Sequence, residues 1–289
     1  MKSKVLIFFA VVLSIFIISV NKSKTIQTSN EVLRQEDKIK VYTTIYPMYE
    51  FAKNIGKDRI DLKMMVPNST KPDKFELTEE IIEDLNKSDV LIYDGAEPWI
   101  DNIINSISND KLIIVKACEG IKIIDDVKKD SNIWLNPLNV IGESNNIKNA
   151  FIKADTKNKK IYEKNYYSFK RELIKLDKLY SDEINSLNEK DILVSSNAFS
   201  YIANRYDLNQ IDISDISKQD DLDKIINDNK IKYIFSENEI DENLKEISKK
   251  LQVNILPLNS IECLSNNTKL GYIDIMKKNL KQIKLGLKH

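Results

Sequence analysis

Tyr162, Tyr166, Phe169, Leu173, Leu176, Tyr180, Ile184 and Leu187 recur at steps of four and three through an otherwise charged segment. That spacing puts one apolar stripe on a helix. A helix from about residue 157 to 187 is about 46 Å long at 1.5 Å per residue, more than one small lobe can cover. The stripe must therefore lie against two bodies, and the helix must join them. Asp155 or Thr156 can cap its start, and the Lys157 to Lys160 charge run reads as its solvated first turn rather than a nucleic-acid patch.

On both sides of this helix, short apolar runs alternate with amphipathic stretches. Before it, residues 39–45, 61–66, 89–93 and 111–116 read as strands and residues 48–55 and 78–86 as helices. Thr78 can cap the second of these helices, and Glu79 and Glu80 charge its first turn favourably. After it, strands are expected at 192–195, 211–213, 232–235 and 254–258. Helices are expected near 199–206, 222–229, 244–251 and 272–287. Alternation of this kind builds parallel sheets flanked by helices. The fold class is α/β: two lobes with mainly parallel sheets, joined by one long rigid helix, with a ligand cleft between the lobes. The boundaries expected are 1–24 for a signal peptide or anchor, 25–37 for a polar linker, 38–155 for the N-terminal lobe, 156–190 for the linking helix and 191–289 for the C-terminal lobe.

Scarce residues exclude several chemistries. The 289-residue chain has one His, at its last position, so no internal catalytic triad or site of several imidazoles can form. Its six glycines include no pair close enough to cradle a phosphate. With 44 basic and 44 acidic residues the net charge is zero, which argues against a nucleic-acid partner held by bulk charge. Cys118 and Cys263 belong to no C-x-x-C pair; they read as buried thiols, with a disulfide between them left open.

Lys2 and Lys4 precede a charge-free apolar run from Val5 to Val20, and Asn21 to Lys24 return to water. As a helix, about 16 residues span about 24 Å, short of a bilayer core of about 30 Å. An export signal fits, and so does an uncleaved N-terminal anchor, because the cleavage pattern after Ser19 is poor. Either route puts the body outside the cytoplasm.

Four groups of residues carry a family likeness: Val41 to Tyr49, Val66-Pro67 through Phe75-Glu76, Tyr93 to Trp99, and Ile133 to Asn139. Ala198 to Tyr201, Tyr233 to Glu237 and Leu258 to Ser260 extend it. In this order they resemble the TroA-like substrate-binding proteins of zinc and manganese ABC transporters. The resemblance implies two α/β lobes on one rigid helix, a divalent metal held between them as transported ligand, and a membrane permease as partner. Its four metal-ligand positions fall on Asp73, Asn132, Ser196 and Asn259. No imidazole remains there.

One carboxylate, two amides and a hydroxyl suit only hard, oxygen-loving ions, and a single negative charge dehydrates a divalent ion poorly. Glu237 is an orienting neighbour in this reading. Trp99 and Trp134 read as core aromatics rather than pocket walls. Asp94 and Glu97 have no spacing that marks a hydrolytic pair, so no enzyme activity is expected. The chain reads as an extracytoplasmic binding component with an altered site; the alternative is a surface adhesin or interaction protein that kept the scaffold and lost the metal. If the N-terminal apolar run is retained, the full-length protein sediments with membranes. A released form beginning near Asn21 would replace the anchor by plain secretion.

Overall fold

The computed structural model describes residues 38–95, 97–124, 132–213, 219–237, 240, 242–264 and 269–288. The expected signal or anchor and the polar linker lie outside them. Among the described residues no helix is long and apolar enough to cross a membrane.

The first half of the chain forms β1 (Ile39–Thr43), α1 (Tyr46–Gly56), β2 (Ile60–Met64), α2 (Glu79–Leu85), β3 (Val90–Tyr93), α3 (Ile100–Ser106), β4 (Ile113–Lys116) and α4 (Pro137–Ala154). The long helix follows as α5 (Lys159–Asn185). Beyond it come β5 (Asp191–Val194), α6 (Ser200–Tyr206), β6 (Asn209–Asp212), α7 (Gln219–Asp228), β7 (Tyr233–Ser236), α8 (Glu242–Leu251), β8 (Asn254–Pro257) and α9 (Tyr272–Leu287). Residues 40–289 make one compact unit.

Two four-stranded sheets result, in the orders β2-β1-β3-β4 and β6-β5-β7-β8. β1 with β3, β3 with β4, β5 with β6 and β7, and β7 with β8 all pair in parallel. Central strands of such sheets are covered on both faces, which is why Val90, Leu91 and Ile92 in β3 and Ile192, Leu193 and Val194 in β5 are all buried. In each sheet the chain leaves its first strand to one side and returns to the other. The reversal opens a crevice at the strands' carboxyl ends, between β1 and β3 and again between β5 and β7.

α5 is about 40 Å long. Tyr162, Tyr166, Phe169, Leu173, Leu176, Tyr180 and Ile184 are all buried, whereas Leu187 falls past the helix end. Asp155 caps the short turn that leads into α5, Thr156 caps nothing, and α5's own N-cap, Asn158, makes no side-chain cap bond. The Asp155 carboxylate accepts from Asn158 N and Asn158 Nδ2, closing a 3₁₀ turn at Thr156–Asn158, and from the Tyr162 hydroxyl at 2.9 Å. Thr78 caps α2 as expected, accepting from Ile81 N.

α9 adds a second joint that the sequence did not reveal. Its first residue, Tyr272, receives the Glu50 carboxylate of α1 on its backbone N–H and donates its hydroxyl to Trp134 O at 2.8 Å. The Tyr46 hydroxyl reaches Leu270 O, and the Phe51 and Tyr272 rings meet edge to face at 5.3 Å. Tyr180 of α5 donates to Met276 O of α9. The end of the chain thus returns to the first half and pins it.

α3 and α4 are also absent from the sequence reading. α4 packs on α1, α5 and the first sheet, but its inner face mixes Val140, Ile147 and Phe151 with fully buried Glu143 and Ser144, so no clean stripe appears. Replacing Leu173 or Leu176 by Ala, at the centre of the joining stripe, is expected to cost about 2 to 5 kcal/mol in denaturant unfolding, as for other buried leucines. A loss within about 0.5 kcal/mol, typical of surface changes, would contradict the packing.

Candidate metal centre

The crevice of the first sheet opens beyond Thr43 and Tyr93. There Glu97 folds back under the strand ends: its carboxylate accepts from the Thr44 hydroxyl at 2.6 Å and from the backbone N–H groups of Asp94 and Gly95, both at 2.9 Å. Such a ring of donors stabilises a carboxylate in place. Gly95 makes the close approach achievable, with φ of +127° and a Cβ position only 2.5 Å from Cys118 Sγ. Glu97 is a structural clasp, not half of a hydrolytic pair.

Asn132 stands before a 3₁₀ turn at Ile133–Leu135 that leads into α4. It is buried, and its Nδ2 donates to the carbonyl of Ala198 at 3.0 Å, 66 residues on and past the end of β5. Two residues away, the indole of Trp134 donates to Ser260 O at 2.8 Å. Segments of both halves are thereby hydrogen-bonded to one another at the expected cleft.

Ser196 follows β5 in extended backbone, and its Oγ is sealed from solvent with no hydrogen-bond partner among the described residues. Asn259 lies beyond β8. Its Oδ1 accepts from Ile261 N at 2.6 Å in an Asx turn, and its backbone N–H and C=O are both bound by the Asn279 side chain of α9. The turn holds Ile261, a β-branched residue, at φ of +67°, where such residues carry strain. The Asn259 oxygen therefore serves the backbone.

Asp73 differs from the other three. It sits in a 3₁₀ turn at Pro72–Lys74 with its side chain 65% exposed, beside Lys74 Nζ at 3.4 Å. Nearby, Phe75 packs on Trp99 at 5.1 Å between ring centroids, and Asn68 O accepts from Leu264 N and Cys263 Sγ. The loop is anchored at its ends while Asp73 faces water. Among the described residues no three His, Cys, Asp or Glu side chains are grouped to hold a metal.

Trp134 is fully buried and Trp99 half-buried in a cluster with Leu85, Leu91 and Ile103, both as core aromatics. Glu237 follows β7 and is partly exposed. Cys118 and Cys263 are not joined by a disulfide. Sequence reasoning missed the two tasks of Asn132 and Trp134 across the joint. Their partners are backbone carbonyls, which carry no residue-type signal.

A model of the family described as zinc-uptake complex component A, periplasmic (ZnuA), matches residues 41–286. The high-affinity zinc uptake system protein ZnuA of Bacillus subtilis is 31% identical over 87% of this chain and 88% of its own length. The zinc-binding lipoprotein AdcA of Streptococcus pneumoniae is 27% identical, but the match spans only 56% of that protein. Among solved structures, the metal-dependent lipoprotein YcdH of B. subtilis superposes with a TM-score of 0.80 at 31% identity, over 86% of this chain and 99% of that one. The Zn(II)-bound ZnuA-like domain of S. pneumoniae AdcA gives 0.79 at 26% identity, over 87% and 100%.

Because the Asn132 amide is a buried donor to a buried carbonyl, Asn132→Ala is expected to lower stability by about 1 to 3 kcal/mol, the cost of leaving such a carbonyl unpaired. Chemical denaturation measures it. A change below about 0.5 kcal/mol would show that the bond across the joint carries nothing.

Proposed function

Because the chain belongs to the ZnuA family of zinc-uptake component A proteins, we propose that it is the extracytoplasmic substrate-binding component of a metal-ion ABC transporter with an altered, His-free site. The family is one of substrate-binding proteins, and the chain is not an enzyme. The cleft-spanning bond of Asn132 to Ala198 carries the reading, because it sets one expected ligand position beside the segment of another, Ser196.

The cargo is a divalent ion, zinc as the names of the relatives suggest or manganese as the wider resemblance suggests. Asp73, Asn132, Ser196 and Asn259 offer oxygen only. On ligand hardness that set favours manganese over zinc, since zinc sites draw on imidazole and thiolate. Asp73 supplies the only charge, and it must turn in from solvent to do so; the Asn259 oxygen must leave its Asx turn. Both costs weaken binding. Capture proceeds by closure of the lobes, and the closed form is presented to a membrane permease. The apolar N-terminal segment directs the body outside the cytoplasm and, if retained, holds it at the membrane.

The exposure of Asp73 and the commitment of Asn259 favour a second reading, a non-transporting surface adhesin or interaction protein on the same scaffold. Metal analysis of protein purified without chelator separates the two. The first reading predicts a readily exchanged divalent ion and no firmly retained zinc. The triple variant Asp73→His, Asn132→His, Ser196→His should then retain about one zinc per chain, three imidazoles being enough for a tight site. Firmly held zinc in the unaltered protein would contradict this account of the site. A folded triple variant that holds none would support the second reading.

A further inference from the structure

Glu143 lies at the middle of α4 with no exposed surface, and neither carboxyl oxygen has a hydrogen-bond donor of ordinary geometry among the described residues. An ionised carboxylate in that setting is strongly disfavoured. Its neighbour is another acid, the Asp94 side chain, which is 2% exposed at the end of β3 and acts on the Glu143 carboxyl. Two carboxylates are both acceptors, so a hydrogen bond between them requires a proton on one. Next to the pair stands Glu97, whose carboxylate takes the Thr44 hydroxyl and the backbone N–H groups of Asp94 and Gly95.

We propose that Asp94 and Glu143 share one proton beneath the crevice of the first sheet, and that its release to water as pH rises loosens α4 and opens the joint made by Asn132 and Trp134. The connection is short. Asn136 caps α4 through Leu138 N, and Asn139 of its first turn donates to Ile133 O, so a shift of this helix moves the Ile133–Leu135 turn directly. That turn carries the indole bond to Ser260 and adjoins the amide bond to Ala198.

The titratable groups whose charge is linked to that of Glu143 are Asp94 and Glu97 after β3, Cys118 after β4 and Tyr272 of α9. Burial pushes the Glu143 carboxyl up to about 7, the Asp94 contact works against the rise, and the charge on Glu97 adds to it. Burial likewise pushes the Cys118 thiol up to about 11 and holds the Tyr272 hydroxyl well above its usual range, so neither is charged near neutrality. Lys116 acts on Cys118 and Tyr93. α1 and α5, also packed on α4, bring no further charge to bear on Glu143 among the described residues.

The sign follows from linkage. Below about pH 4.5 the folded and unfolded chains both keep the Glu143 proton. Between there and about 7 the unfolded chain has lost it and the folded chain has not, so stability falls as pH rises; above 7 the loss is complete and constant.

The test uses the full chain with Trp99→Phe, which leaves Trp134 as its single Trp. Trp134 emission should titrate with one proton near pH 7 and be flat across that range when Glu143→Gln is added. The unfolding constant of the parent relative to Glu143→Gln should rise about tenfold per pH unit from pH 5 to 7. Infrared spectra at pH 6 should contain a protonated-carboxyl carbonyl band that Glu143→Gln removes. Should that variant fail to fold, Asp94→Asn serves: its amide donates to an ionised Glu143 and should move the midpoint down by about one pH unit or more. Identical titrations in parent and variants, or no such band, would overturn the proposal.

Discussion

The architecture depends on burying one continuous apolar stripe along α5. Neither four-stranded sheet by itself covers a helix of about 40 Å, so the stripe is sealed only when both halves of the chain lie along it. Each buried side chain of the Leu or Phe class contributes about 1.5 to 3 kcal/mol on leaving water, so the stripe is a strong reason for the halves to stay together. α9 then fixes how they meet. Its first turn is held by Glu50, Tyr46 and Trp134 from the first half and its next turn by Tyr180, so the hydrogen bonds give direction to a contact that hydrophobic burial leaves non-directional.

With the joint so determined, the cleft can change without loss of the fold. The positions that resemble metal ligands lie on loops past strand ends or at a helix entry, where substitution disturbs little of the core. Asn132 and Asn259 have been drawn into the scaffold, one as a donor across the joint and one as the support of a strained Ile261. Ser196 keeps a buried hydroxyl with no partner among the described residues, and Asp73 keeps a charge in water. On the proposed reading, the result is a binding-protein frame whose cleft offers oxygen atoms at low charge. The proposed proton-linked behaviour at Asp94 and Glu143 is compatible with such a frame: it acts through the joint, in which Asn132 is also one of the expected ligand positions.

Most of the fold was legible in the sequence because period and burial agree. The α5 stripe, the Thr78 cap and the eight strands follow from residue spacing; the central strands β3 and β5 are buried on both faces and read as plain apolar runs. α4 was hidden because Glu143 and Ser144 occupy its inner face, and periodicity cannot tell a buried acid from a surface one. α3 is short, and its Ile100 and Ile103 alone make no pattern. The ligand positions came from resemblance, not spacing. The bonds of Asn132 to Ala198 O and of Trp134 to Ser260 O end on main-chain carbonyls 66 and 126 residues away, which no local pattern encodes.

The central claim is that the scaffold retains its cleft while the cleft no longer fixes zinc. Anomalous diffraction at the zinc edge, from crystals grown with one equivalent of zinc per chain, addresses it most directly. The account predicts both Asn132 to Ala198 and Asn259 to Ile261 bonds intact, with no ordered zinc among Asp73, Asn132, Ser196 and Asn259. A well-occupied zinc ion coordinated by these residues, with either bond broken to reach it, would contradict it.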